Sequence, residues 1–237
     1  PSCHKYKTSL AFVSLKKDGE RDFEFIREPG ADTMLEYNEI DLEKLYSAKI
    51  IHFGSISLIG GETKKTIIKI LGEAREKGIL ISYDPNLRLN LWCNEETAKK
   101  GIKEGMEFAD IMKVSEEELE FITQKKDINE GIKMIHSMGI KLLFVTKGKN
   151  GAVVSNGKDI IFREGIKVNA IDATGAGDGF TGGYLFKLSK LEDVLNEIMS
   201  KDIISDIVIF ANKVGAITTT RFGAIAALPT KNEIACI

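Results

Sequence analysis

The sequence predicts an α/β fold: a mostly parallel sheet with helices on both faces, built as a single domain over residues 1–237. Three observations carry that prediction. Short apolar runs alternate with stretches of helical spacing along most of the chain, the pattern of a parallel sheet with crossover helices. Two pairs of strand-like runs are joined through Asp-Gly and Asn-Gly, both strong hairpin signals. The segments richest in reactive side chains, 84–88, 113–118 and 147–148, each follow directly on an apolar run, and open α/β sheets bind ligands just beyond the carboxyl ends of their strands.

Taken in order, residues 10–15 and 22–27 read as short strands joined through Lys17-Asp18-Gly19-Glu20. Residues 49–53 form an apolar strand. Helical spacing at Ile67, Ile68, Leu71 and Ala74 predicts a helix over 63–77 that stops at Gly78. A strand over 79–83 closes at Asp84-Pro85-Asn86. A helix over 95–108 precedes a strand at 111–114, and helices over 116–123 and 129–138 precede a strand at 141–146. Residues 152–155 and 159–163 form a second hairpin around Asn156-Gly157.

Composition narrows the function classes. An apolar fraction of 43% and a charged fraction of 29% are ordinary for a globular protein. The formal net charge of -2 points to no general electrostatic partner, neither nucleic acid nor membrane surface. Cys3, Cys93 and Cys236 are scattered without metal-ligand spacing, which fits reduced thiols and a cytoplasmic location. His4, His52 and His136 are too far apart in sequence for a metal motif, and Trp92 stands alone rather than in a stacking platform.

Chemistry concentrates in Asp172-Ala173-Thr174-Gly175-Ala176-Gly177-Asp178-Gly179-Phe180, followed by an apolar-rich run to Leu188. This is a tight loop feeding the start of a helix. Glycines allow close backbone approach to a ligand, and the first helical amides have no partners within the helix. The dipole adds positive potential, so the loop suits an anion such as a triphosphate. A carboxylate beside a phosphate is unfavourable, so Asp178 is better explained as a base that takes the proton from an attacking hydroxyl. The dinucleotide fingerprint fails, because its third glycine would fall on Phe180, and no P-loop Gly-Lys-Ser/Thr triplet occurs.

The Asp-x-Thr-Gly-Ala-Gly-Asp run resembles the C-terminal signature of the PfkB, or ribokinase-like, carbohydrate kinases, with Ala173 where Thr is usual. Tyr83-Asp84-Pro85-Asn86-Leu87-Arg88, Lys113-Val114-Ser115-Glu116-Glu117-Glu118, Val145-Thr146-Lys147-Gly148 and Ala211-Asn212-Lys213-Val214-Gly215-Ala216 fall in the family's order. Within the family the fructokinases are most similar, through Phe53-Gly54-Ser55-Ile56-Ser57-Leu58 and the 84–88 segment. The resemblance implies a ribokinase-like, doubly wound sheet with a small β lid, here within about residues 8–30. It also implies that the family's first strands, a sugar-binding Asp and a Gly-Gly motif belong ahead of Pro1, so that the family chain is N-terminally incomplete here.

By the same resemblance the reaction is transfer of the γ-phosphoryl group of MgATP to fructose. Asp178 is the base, and Gly175, Ala176 and Gly177 supply amides to the developing charge. Arg88 is a candidate for the sugar or the transferred phosphate, and Arg27, in the Phe25-Ile26-Arg27-Glu28-Pro29-Gly30-Ala31-Asp32 stretch that can face the sugar, is a second candidate, with Asp32 of the same stretch a weaker one. Lys147, Gly148 and Asn212 match positions near the nucleotide, Asn212 serving either adenine or a turn. Ser115-x-x-Glu118 is a capping box on its own spacing; the family's Asn-x-x-Glu gives Glu118 a water-mediated role with Mg2+. Asp172 and Thr174 match a monovalent-cation site for K+, the alternative being a buried, satisfied carboxylate. The implied partners are a small-molecule sugar and ATP, with a homodimer as the assembly. A 2-keto-3-deoxygluconate kinase and a catalytically silent nucleotide-binding module are the competing readings.

Overall fold

The computed structural model describes residues 5–15, 21–27 and 30–235. Its residues cluster into two compact units: Pro1–Ile81 with Asn86–Phe108, and Ser82–Pro85 with Ala109–Ile237.

The first unit opens with an antiparallel ribbon, β1 (Leu10–Leu15) and β2 (Arg21–Ile26), in which Leu10 faces Ile26 and Leu15 faces Arg21. The turn expected at 17–20 lies outside the described residues. A short helix, α1 (Leu42–Tyr46), starts where the Asp41 side chain accepts the Lys44 amide. β3 (Ile50–Gly54) runs into a 3-10 turn, Ser55–Leu58, and then α2 (Gly61–Glu76). Leu71 and Ala74 are buried as the spacing predicts, while Ile67 and Ile68 are half-buried. After Gly78 the chain enters β4 (Leu80–Asp84), whose first amide donates to Lys49 O at the edge of β3, 3.4 Å away. α3 (Glu95–Met106) is capped by Asn94 and buries Ala98, Ile102 and Met106, four residues apart on one face.

The second unit holds a sheet in the order β4-β5-β6-β7-β8, with β5 at Ile111–Ser115, β6 at Leu142–Thr146, β7 at Gly151–Ser155 and β8 at Ile160–Glu164. β4, β5 and β6 are parallel; β7 and β8 are antiparallel additions at one side. β6 is apolar along its length because it is buried on both faces. The 157-centred hairpin is present as expected. α4 (Glu116–Thr123) and α5 (Ile128–Ser137) connect β5 to β6. His136 is structural, its ring bridging Ile140 O at 2.7 Å and Ser155 Oγ at 2.8 Å.

Beyond β8 come α6 (Ala176–Ser189), α7 (Val194–Glu197), α8 (Lys201–Thr218) and α9 (Lys231–Ala235). α6 has almost no side-chain bulk where it meets α8. A methyl group on Gly183 would stand 3.0 Å from Ala211 Cα and 3.1 Å from Val214 Cγ2. On another face Phe180 and Tyr184 pack on Phe144 of β6, Tyr184 stacked at 4.5 Å and Phe180 edge-on at 5.8 Å. This sandwich fixes the helix whose first turn carries Asp178.

Candidate active site

Three parallel strands end together. β4 stops at Asp84, β5 at Ser115 and β6 at Thr146, and Ser115 and Thr146 are register partners. Gly148 lies two residues past the end of β6. α6 brings Asp178 to the same place, because Thr181, three residues along that helix, donates to Asp84 Oδ2 at 3.2 Å. The expected convergence of Asp84, Ser115, Gly148 and Asp178 on one sheet edge therefore holds within the second unit.

The loop before α6 is held at its entrance. Asp172 Oδ1 accepts from Thr174 N at 2.9 Å and from Thr174 Oγ1 at 2.7 Å, and Asp172 Oδ2 accepts from Gly223 N at 3.0 Å. The amides of Ile171 and Asp172 both donate to Thr219 O. The carboxylate thus staples the loop to the 219–224 segment. Gly175 then takes φ +77°, and a methyl group there would meet the Ala224 side chain at 3.0 Å. Both constraints require glycine.

The first turn of α6 is different. The Gly175 carbonyl accepts the first helical bond, from Gly179 N at 2.7 Å, and no side chain caps the helix. One expectation needs correction: the Ala176 amide is spent on Ala173 O at 3.2 Å, because the loop closes a turn there, so it is not a ready anion donor. The amides of Gly177 and Asp178 belong to the helical turn that has no carbonyl one turn back. Asp178 itself is exposed, with no hydrogen bond or ion pair to a side chain among the described residues. Its place in the first turn also suits a negative charge electrostatically.

Beneath this turn lies a buried polar group that sequence reasoning left without a role. Lys113 Nζ and Asp84 Oδ2 form an ion pair at 3.1 Å, and Asp84, Lys113 and Thr181 are only 4%, 6% and 6% exposed. Next to it the Tyr184 hydroxyl and Ser82 Oγ are 2.9 Å apart, and burial pushes the Tyr184 phenol well above its ordinary range. The signal was present: a lysine in the middle of Ile-Met-Lys-Val, an otherwise apolar strand, needs a buried partner.

The remaining expected residues divide. Lys147 forms an ion pair with Glu116 across the ends of β5 and β6, and Gly148 takes φ +53° beside open space. Glu118 makes the capping box, Oε2 accepting Ser115 N at 2.8 Å while Ser115 Oγ accepts Glu118 N at 3.1 Å. Asn212 is buried, and its amide nitrogen donates to Arg163 O and Glu164 O at 3.2 and 3.1 Å. That geometry fixes the end of β8 on α8 and supports the structural alternative rather than contact with adenine.

In the first unit, Arg27 lies against Asp32, with Nε at 2.7 Å and Nη2 at 2.6 Å from Oδ2. Asp32 also accepts from Ser9 Oγ. Burial alone would raise the Asp32 carboxyl, but the Ser9 and Arg27 contacts outweigh it and hold the group below its usual value. Arg27 Nη2 reaches Ile56 O at 3.4 Å. Arg88 donates to its neighbour's carbonyl, Leu87 O, at 3.1 Å.

Residues 3–231 match the model of the pfkB family carbohydrate kinases. The chain belongs to that family. "Probable fructokinase-2" of Arabidopsis thaliana is 45% identical over 228 residues, covering 96% of this chain and 68% of its own length. A double mutant of Vibrio cholerae O395 fructokinase, solved with fructose, ADP and potassium ion, superposes with a TM-score of 0.87 at 34% identity, over 98% of this chain and 73% of that one. Xylella fastidiosa fructokinase with bound ATP gives a TM-score of 0.90 at 29% identity, over 99% and 74%. The mostly parallel sheet with antiparallel additions is that of the ribokinase-like fold, and the protein is a carbohydrate kinase. No helix among the described residues is long and apolar enough to cross a membrane.

Proposed function

We infer that this protein is an ATP-dependent fructokinase, moving the γ-phosphoryl group of MgATP to the primary hydroxyl of fructose to give fructose 6-phosphate. The observation that carries the reading is Asp178: an exposed carboxylate in the first turn of a helix that no side chain caps, at the carboxyl edge of a parallel sheet. In this mechanism Asp178 accepts the hydroxyl proton as the oxygen attacks phosphorus. The Gly177 amide and the start of α6 stabilise charge on the transferring group. Mg2+ carried with ATP would neutralise part of the phosphate charge and would need few protein ligands. Glu118 would hold it through water while keeping its cap. Lys147 and Gly148 flank the nucleotide, and Arg88 serves the sugar side.

K+ at Asp172 and Thr174 is a second reading of residues whose hydrogen bonds already order the loop. The acid-sugar alternative loses support, because Arg27, one of the two arginines that would face a carboxylate, is neutralised by Asp32. Few, scattered cysteines support a cytoplasmic location. A homodimer draws support from the β1–β2 ribbon, where Leu10, Phe12 and Ile26 are each half exposed or more.

The test is steady-state ADP release with fructose and with 2-keto-3-deoxygluconate, alongside thermal-shift titration. Fructose is expected to give the higher kcat/KM and its own stabilisation. A preference for the acid sugar would move the assignment to that kinase, and stabilisation by ATP with no response to any sugar would favour a silent module.

A further inference from the structure

We propose that Lys113 is a positioning residue of the phosphoryl-transfer site, its ammonium raising the positive potential of the anion-binding turn from behind Gly177. The inference rests on the kinase reading and adds a residue to it. Two contacts define the geometry. A methyl group built on Gly177 would lie 3.3 Å from Lys113 Nζ, so the ammonium sits directly against the first turn of α6. The same nitrogen is 3.1 Å from Asp84 Oδ2, which Thr181 Oγ1 also reaches, at 3.2 Å.

Gly177 and Thr181 are four residues apart on α6, about 6 Å along its axis. The cation of the pair therefore lies toward the mouth of the helix and the anion toward Thr181, deeper by no more than the 3.1 Å that separates them. This is the sense in which the pair adds to the helix dipole, with the positive end toward the anion. The arrangement is hard to explain as a stability device. A buried ion pair is no more stabilising than well-packed apolar groups, and β5 is apolar on either side of Lys113. The pair also explains a sequence feature: glycine at 177 leaves the space that the ammonium occupies.

The charge should matter most where the phosphoryl group moves, so its loss should weaken ATP more than ADP. The experiment compares wild type, Lys113→Met and the double variant Asp84→Asn/Lys113→Met. Affinities for MgATP and MgADP, fructose-dependent kcat and thermal midpoint are measured for each. For Lys113→Met the expected result is a loss of about 10²-fold in kcat/KM for ATP, the scale of removing one preorganised electrostatic contact. The ATP-to-ADP affinity ratio should fall about tenfold. Lys113→Arg should recover part of both.

The double variant removes the pair without stranding a buried carboxylate, so it remains informative if the single variant does not fold. It should show the same depressed ratio with a near-native midpoint. A wild-type ratio in the double variant would overturn the proposal and leave Lys113 as no more than the counterion of Asp84. So would equal weakening of ATP and ADP in Lys113→Met. Failure of the fructokinase reading would look different: wild type itself would lack fructose-dependent turnover, while the ATP-to-ADP ratio would still report on Lys113.

Discussion

Asp172 and Asp178 bracket the same short loop, yet the two ends are built in opposite ways. At the entrance the contacts tie the loop to the protein itself: Asp172 accepts three hydrogen bonds from Thr174 and Gly223, and neighbouring amides anchor on Thr219 O. At the exit Asp178 is exposed and no side chain caps the helix, whose first intrahelical bond starts only at the Gly179 amide. The difference separates two tasks. A carboxylate that orders a backbone uses up its acceptors, whereas one that takes a proton from a substrate must keep them available. If the two aspartates of this motif divide those tasks, substitution should affect them in distinct ways.

The largest expected effect is at the exit. Asp178→Asn preserves shape and removes the base. General-base catalysis is typically worth about 10²–10⁴ in rate, so kcat should fall by at least that order. Nucleotide affinity should hold or tighten, since a negative charge next to the phosphates is lost. Single-turnover rates and ATP binding on purified enzyme check this. A near-normal kcat would remove the central residue of the mechanism.

The entrance should respond in binding rather than chemistry. Asp172→Asn swaps an acceptor for a donor, so the contact to Thr174 or that to Gly223 must break. A hydrogen bond to a charged group contributes roughly 1.5–3 kcal/mol, so ATP affinity should weaken about tenfold, with a smaller change in the single-turnover rate. Repeating the titration with and without K+ sharpens the comparison. If a cation orders the loop, K+ activation is blunted in the variant; if the hydrogen bonds alone do so, K+ has no effect on either protein.

Farther along α6 the helix is scaffold only. Gly183→Ala would force a methyl group to 3.0 Å from Ala211 Cα, a backbone atom that cannot swing aside. Overpacking of this kind costs typically about 1–3 kcal/mol. The thermal midpoint should drop, while kcat per folded molecule stays near wild type. A selective loss of kcat would mean that the α6–α8 contact transmits strain to Asp178.

Most of the strands and the connecting helices were legible because each carries its period locally. The strand over 111–114 and the helix over 116–123 need only their own apolar pattern and the Ser115–Glu118 cap, and both lie within a residue of expectation. α8 was not legible as a helix, because its buried face, through Ile204, Val208, Ala211 and Gly215, also takes in the polar Ser205 and Asn212, which blur the apolar stripe. In the site, Asp178 and the glycines were legible since the chemistry is contiguous in sequence. Lys113 and Thr181 were not, because their meaning depends on Asp84, which is 29 and 97 residues distant. The fate of the Ala176 amide was hidden for another reason: it depends on how the loop turns at Ala173, which residue types alone do not specify.

The smallest expected effect reaches the entrance from behind. Arg221, in the segment that clamps Asp172, pairs with Glu233 at α9. Glu233 accepts from Thr230 N at 2.7 Å and Thr230 Oγ1 at 2.8 Å, and these bonds together with Arg221 hold its carboxyl down at about 2, from an ordinary 4.5. The folded value is depressed, so the contribution is fully present above about 4.5 and is lost as pH falls from there toward 2. The group is on the surface, where ion pairs contribute little and salt screens them. Acidification through that window should therefore loosen α9 and the 219–224 segment locally, without global unfolding from this source. Carboxyl NMR of Glu233, read with hydrogen exchange at the Gly223 amide, tests the link. Glu233→Gln should give at neutral pH the faster Gly223 exchange that wild type reaches only in acid, and a slight weakening of ATP. Gly223 exchange that ignores both pH and this substitution would show that Asp172 holds the segment by itself, which would strengthen the contrast between the two ends of the loop.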